Sequence, residues 1–252
     1  MKKFKESKNI YKNILEIDSN NLFTLLNLAK NYYLEDKLEK MENLLQKALQ
    51  INDKYFNTWN GIAMLKDKQG KMEEFYEACN KSLKYCSNDE QRKGAYNNLG
   101  YYHKSIGDYQ KGFEFFEKAV DIDKKFGHAF LGLLDCLWEL KKCQEIIEYT
   151  EDLDYTMINA QFLNLRAYAL SELNEFDKAE IIIKSLIPII KKNNRLFTNF
   201  HDTMGDIYRK KGDLRKAIDF YQKALDDSET EYNFLVETKK KLEKCKKELD
   251  SE

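Results

Sequence analysis

The residue types able to do chemistry in this 252-residue chain are scattered. His103, His128 and His201 form neither an HxxxH nor an HExxH pair, and Cys79, Cys86, Cys136, Cys143 and Cys245 contain no CxxC. Those spacings supply no one-helix zinc site and no dithiol redox centre. The 43 Asp and Glu are interleaved with 42 Lys and Arg, and no carboxylate pair stands apart as acid and base. Gly70, Gly107 and Gly212 are isolated, unlike the clustered glycines of a phosphate-cradling loop. The chain is therefore read as a non-enzyme without cofactor or metal. What remains is recognition chemistry. The chain's many Asn amides can donate to and accept from a peptide backbone at once. Its 16 Tyr and two Trp offer the flat amphipathic rings that anchor partners.

Composition limits the elements that position these residues. One proline and 10 glycines are too few turn formers for an all-β fold. Aromatic residues at 13% support a packed core, while 34% charged residues and a mean hydropathy of -0.70 exclude a membrane-embedded chain. A net charge of -1 lacks the basic excess of a nucleic-acid binder. An odd number of irregularly spaced cysteines suits a reducing compartment. Residues 1–18 hold no continuous apolar stretch of seven, so neither a signal peptide nor an anchor is expected, and the expected location is cytoplasmic.

Helical periodicity organises the whole chain. Residues 22–55, 93–126 and 198–231 align, each with an apolar–small pair at positions 7–8: Leu28-Ala29, Leu99-Gly100 and Met204-Gly205. A turn follows near position 15, clearest at Gly107-Asp108 and Gly212-Asp213, and a small residue recurs at position 27 as Ala48, Ala119 and Ala224. Apolar positions 4, 7, 11, 17 and 24 fall at helical spacing on both sides of the turn. Residues 56–92 contribute Trp59, Ile62, Ala63 and Gly70, with Trp59 at a core position, although Phe75 and Ser82 stand where small residues recur elsewhere. Residues 127–159 fit through Phe130, Leu133 and Leu137, and residues 160–197 through Ala167, Leu170, Phe176 and Ala179. Small residues let two antiparallel helices approach, and large ones fill the surrounding space.

This pattern resembles the tetratricopeptide repeat family over nearly the full length. The family signature is Trp at 4, Leu-Gly at 7–8, Tyr at 11, Ala at 20, an aromatic at 24, Ala at 27 and Pro at 32. The proline is missing from every repeat, and the single Pro188 falls late in a second helix extending to about Lys192, where it should loosen the last turns. The resemblance implies an all-α, right-handed superhelical solenoid of helix-turn-helix repeats at 22–55, 56–92, 93–126, 127–159, 160–197 and 198–231. Residues 1–21 form a half repeat carrying Tyr11 and Ile14, and residues 232–252 a capping helix. A capping box, Ser228 and Glu231, opens that last segment, whose apolar side runs through Tyr232, Leu235, Leu242, Cys245 and Leu249.

In such a solenoid the first helix (A) of each repeat lines a concave groove through positions 2, 5, 9 and 12. Phe23, Leu26, Lys30 and Tyr33 hold these positions in the first repeat, Asn57, Asn60, Met64 and Asp67 in the second, and Asn199, Asp202, Asp206 and Arg209 in the sixth. The candidate ligand set is Asn60, Asn97, Asn98, Tyr101, Asp135, Trp138, Asn164 and Tyr168. No repeat has Lys at position 5, so the clamp with which some relatives hold a chaperone's carboxyl terminus is missing. The resemblance implies a non-catalytic scaffold that binds a protein or peptide segment in its groove. The alternative is an assembly module that docks or self-associates through its terminal helix or convex face. The short heptad Leu235, Leu242 and Leu249 leaves weak homo-oligomerisation open.

Overall fold

The structure, a computed structural model, describes residues 2–156, 159–189, 195–226 and 233–251. Among them are fourteen α-helices and a 3-10 turn, and no strand. The chain divides into two compact units, Met1–Cys136 and Leu137–Glu252. The first contains α1 (Lys2–Ile17), α2 (Leu22–Leu34), α3 (Leu38–Ile51), α4 (Phe56–Lys68), α5 (Met72–Lys84), α6 (Asp89–Ser105), α7 (Tyr109–Ile122) and most of α8 (Gly127–Glu139). The second contains α9 (Cys143–Tyr149), α10 (Ala160–Glu172), α11 (Phe176–Leu186), α12 (Arg195–Lys210), α13 (Leu214–Asp226) and α14 (Asn233–Asp250). No helix of the described residues is long and apolar enough to cross a membrane.

One backbone device makes the hairpins. Residues 36, 70, 107, 141, 174 and 212 all lie at positive φ, each just after an A helix. At Gly107, its own N–H donates to the Lys104 carbonyl at 3.1 Å and the Asp108 N–H reaches back to that of His103 at 2.9 Å. These are the paired bonds that close a helix through a left-handed residue. The same bonds recur at Lys141, where the Lys142 N–H reaches the Leu137 carbonyl at 2.9 Å. Asp36, Lys141 and Asn174 adopt the left-handed region without being glycine. Side-chain caps start the following helices: Asp108 accepts from the Lys111 N–H and Asp213 from that of Lys216.

Packing within the hairpins follows the alternation of small and large residues. A Cβ on Gly205 would lie 2.4 Å from the ring of Tyr221, which is fully buried. α12 can therefore approach α13 only through a bare backbone, with Phe200, Met204 and Ile207 filling the surrounding core. In the first unit Leu28, Ala29, Met41 and Leu45 form one core, and Ala63, Phe75, Cys79 and Leu99 another. Each large side chain so buried contributes about 1.5–3 kcal/mol.

α6 begins at Asp89, ahead of the repeat boundary at 93, because Asn88 accepts from the Gln91 N–H at 2.9 Å and two acidic residues open the helix. The structure departs from the sequence reading at two places. α11 ends at Leu186, and Ile187–Ile189, with Pro188 in its middle, winds as a 3-10 turn; residues 190–192 of the expected extension lie outside the described residues. Trp59 is only half-buried: it packs beside Ala63 and Phe75, donates its indole N–H to the Asp53 carbonyl, and carries Lys81 4.1 Å above its ring. Ser228, Glu231 and Tyr232 also lie outside the described residues.

Candidate functional site

Within the first unit, side chains link successive A helices α2, α4, α6 and α8. Lys68 on α4 sits 4.7 Å from the centre of the Tyr33 ring on α2 and pairs with Asp36 at 2.8 Å. Asn98 on α6 donates to Asn60 on α4 at 2.9 Å, and Lys104 on α6 pairs with Asp135 on α8. The Asn60–Asn98 bond uses one carbonyl and one donor hydrogen, so the pair still presents an NH2 and a carbonyl. The Asn97 side chain, on the same helix as Asn98, is half-buried. Tyr101, 45% exposed, meets Phe75 edge-on at 6.2 Å.

Between α2 and α4 lies an open cavity of about 290 Å³. Phe23, Leu26 and Met64 wall it, buried Met41 and Leu45 lie beneath, and Asn57 and Asn60 edge it. Phe23 is 70% exposed, a large apolar ring left in water beside an apolar hollow. Lys30 is the one charged residue of the lining. One helical turn beyond Met64, the half-buried Asp67 carboxyl is raised above its ordinary range by burial, with no cation to offset it.

In the second unit the polar side chains are bound to one another. Trp138 meets Tyr168 edge-on at 5.9 Å, with Lys141 5.5 Å from the Trp138 ring centre. Asn164 accepts from the Thr203 hydroxyl at 2.9 Å. The Tyr168 hydroxyl shares its hydrogen between Asp202 at 3.2 Å and Asp206 at 3.1 Å. Lys241 of α14 bridges the same two carboxylates at 2.8 and 2.7 Å, while Thr238 donates to Asp202 at 2.7 Å and Tyr221 to Asp206 at 2.6 Å. Burial pushes the Tyr168 hydroxyl well above its ordinary range, and the two aspartates push it further. Burial works against the Lys241 cation, but the two carboxylates outweigh it and raise its pKa. Arg209 is likewise taken up, by Glu248 of α14 at 3.1 Å.

The candidate residues thus fall into two groups. Asn60, Asn97, Asn98, Tyr101 and Asp135 lie in the first unit, where amide and ring surface remains available. Trp138, Asn164 and Tyr168 lie in the second, where the Asn164 carbonyl and the Tyr168 hydroxyl hold neighbouring helices. Phe23, Leu26 and Lys30 were legible as groove-facing in the sequence, but nothing there distinguished them by an empty space. Lys241 was missed. Its signal was a cation at helical spacing within the apolar stripe of Leu235, Leu242 and Cys245, beside Thr238, where a solvated lysine does not belong.

The tetratricopeptide repeat family model matches residues 94–126 and 200–226. No curated protein matches the chain in sequence. Among solved structures, a tetratricopeptide repeat protein of Parabacteroides merdae is similar at a TM-score of 0.61 and 18% identity, covering 94% of this chain and 90% of its own. A chain of the APC/C hetero-tetramer Cut9–Hcn1 gives 0.70 at 14% identity over 96% of this chain and 46% of its own. Pseudomonas aeruginosa pilF gives 0.61 at 16% identity over 87% and 91%. The matched segments enclose two of the Gly-closed hairpins, at Gly107 and Gly212, and the fold is the helical solenoid of these neighbours. Two segments of the chain are thus similar to tetratricopeptide repeats, and its helices take the solenoid fold of such repeats.

Proposed function

We propose that this chain is a non-catalytic scaffold that binds a protein or peptide segment on the A-helix face of its first unit. The observation that carries the reading is the open cavity between α2 and α4, beside which Phe23 is exposed to water. A site for a flexible segment needs a hollow for one apolar side chain and a few convergent polar groups beside it. The cavity is the hollow, Asn57 and Asn60 are polar groups of its lining, and Asn98, bonded to Asn60, carries the amide surface on to α6 beside Asn97. An apolar anchor entering it also covers Phe23, and burial of one such side chain contributes about 1.5–3 kcal/mol. Tyr101 and the Lys104–Asp135 pair extend the same face for the rest of the segment. On the second unit, the Trp138 ring is the remaining candidate for an accessory contact.

Selection of a phage-displayed random peptide library on the purified chain tests this. Peptides sharing a large apolar residue should be enriched, and Phe23→Ser with Met64→Gln should abolish their binding while leaving the circular dichroism spectrum unchanged. Enrichment indifferent to those two substitutions would refute the proposed site.

A further inference from the structure

The charge of the cavity points to a narrower class of partner. Its lining is uncharged, made of apolar and amide side chains and the Tyr55 phenol, except for Lys30, which is exposed and has no carboxylate partner among the described residues. Most other cations near the A-helix face are already matched: Lys66 to Glu42 and Glu74, Lys68 to Asp36, and Lys104 to Asp135. Lys30 is thus an uncompensated positive charge at the rim of an apolar hollow, and a carboxylate brought there gains attraction without displacing an existing partner. Asp67 sharpens the placement. It is half-buried, unpaired among the described residues, and one turn beyond Met64 on α4, so a second carboxylate arriving there meets repulsion.

We infer that the cavity takes a large apolar side chain of a partner segment whose adjacent residue is Asp or Glu, the carboxylate lying against Lys30. This rests on the reading of the cavity as a binding site. The anchor supplies the apolar burial, and the carboxylate chooses among segments that share the anchor.

Fluorescence anisotropy with the full chain and four short labelled peptides tests it. Three place Leu at the centre of a Ser/Gly background, flanked by Glu, by Gln or by Lys; the fourth replaces Leu by Gly beside Glu. The Glu peptide should bind about 5-fold tighter than the Lys peptide, the upper range for an exposed ion pair, with the Gln peptide between them. Raising the salt concentration should narrow the gap. Lys30→Glu should invert the order and Lys30→Met should level it; Lys30 is exposed, so neither change should affect folding. An order unchanged in Lys30→Glu, or equal binding of the Glu and Lys peptides, overturns the acidic partner and leaves the cavity site standing. Failure of every Leu peptide to bind, or equal binding of the Gly peptide, overturns the site and the acidic partner together.

Discussion

Replacing Lys241 by Met should destabilise the second unit by about 3 kcal/mol, out of the 5–15 kcal/mol typical of a domain. Lys241 donates to Asp202 at 2.8 Å and to Asp206 at 2.7 Å, and the side chains of those aspartates are only 10% and 18% exposed. Without the lysine two carboxylates face each other away from water, still held by the hydroxyls of Tyr168, Thr238 and Tyr221. Those donors, and the 28% exposure of the Lys241 side chain, place the loss at the lower end of the 3–5 kcal/mol for breaking a buried pair. The two tryptophans fall one in each unit, so Trp59→Phe leaves Trp138 as a reporter of the second unit. Urea unfolding followed by Trp138 fluorescence gives the loss from the shift in midpoint at constant slope. Adding Asp202→Asn and Asp206→Asn to Lys241→Met should restore most of the stability, because the cost lies in the uncompensated charges rather than in the missing contact. A loss below about 0.5 kcal/mol, the range of an ordinary surface substitution, would refute the reasoning. So would a triple variant no more stable than the single one.

Gly205→Ala should cost about 2 kcal/mol in thermal or urea unfolding, because the new Cβ would fall 2.4 Å from the buried Tyr221 ring; a neutral result would mean that α12 and α13 separate freely. Lys141→Gly should raise stability by up to about 1 kcal/mol, since Lys141 holds φ at 60° where glycine has no steric penalty; a fall in the unfolding midpoint would contradict this. Glu180 is partly buried, which raises its pKa, but hydrogen bonds from Lys184, Tyr208 and Lys211 prevail and hold it at about 2, below the ordinary 4.5. Its stabilising contribution is complete above about pH 4.5 and lost as pH falls towards 2. The gap in unfolding midpoint between wild type and Glu180→Gln should therefore be widest near neutral pH and close by about pH 2; a pH-independent gap would remove Glu180 from the titration.

The hairpins were legible because local steric demands dictate them. An A helix that must turn within two residues needs a left-handed residue, and Gly70, Gly107 and Gly212 announce it; Asp36, Lys141 and Asn174 hold the same φ without that signature. Close approach was legible in the same way, since Gly205 makes sense only against a ring such as Tyr221. The fate of the polar side chains was not. Position 5 marks Asn60 and Asn164 alike, and each accepts through its amide carbonyl, yet one meets the Asn98 amide and the other the Thr203 hydroxyl. That difference depends on which residue the next helix brings opposite, and so on helix-to-helix register, which no single repeat contains. The cavity was hidden for a related reason: an empty volume is the sum of several side chains falling short, and Phe23, Leu26 and Met64 each look ordinary alone.

The most direct test of binding at the first unit's cavity is a titration of the chain labelled with 13C at its methionine methyls, using the Leu-centred, Glu-flanked peptide. Met41 and Met64 line the cavity, Met72 lies outside its lining on α5, and Met204 is buried in the second unit. The account predicts that the Met41 and Met64 resonances shift with peptide while those of Met72 and Met204 stay in place. Saturable binding that leaves Met41 and Met64 unmoved would contradict it.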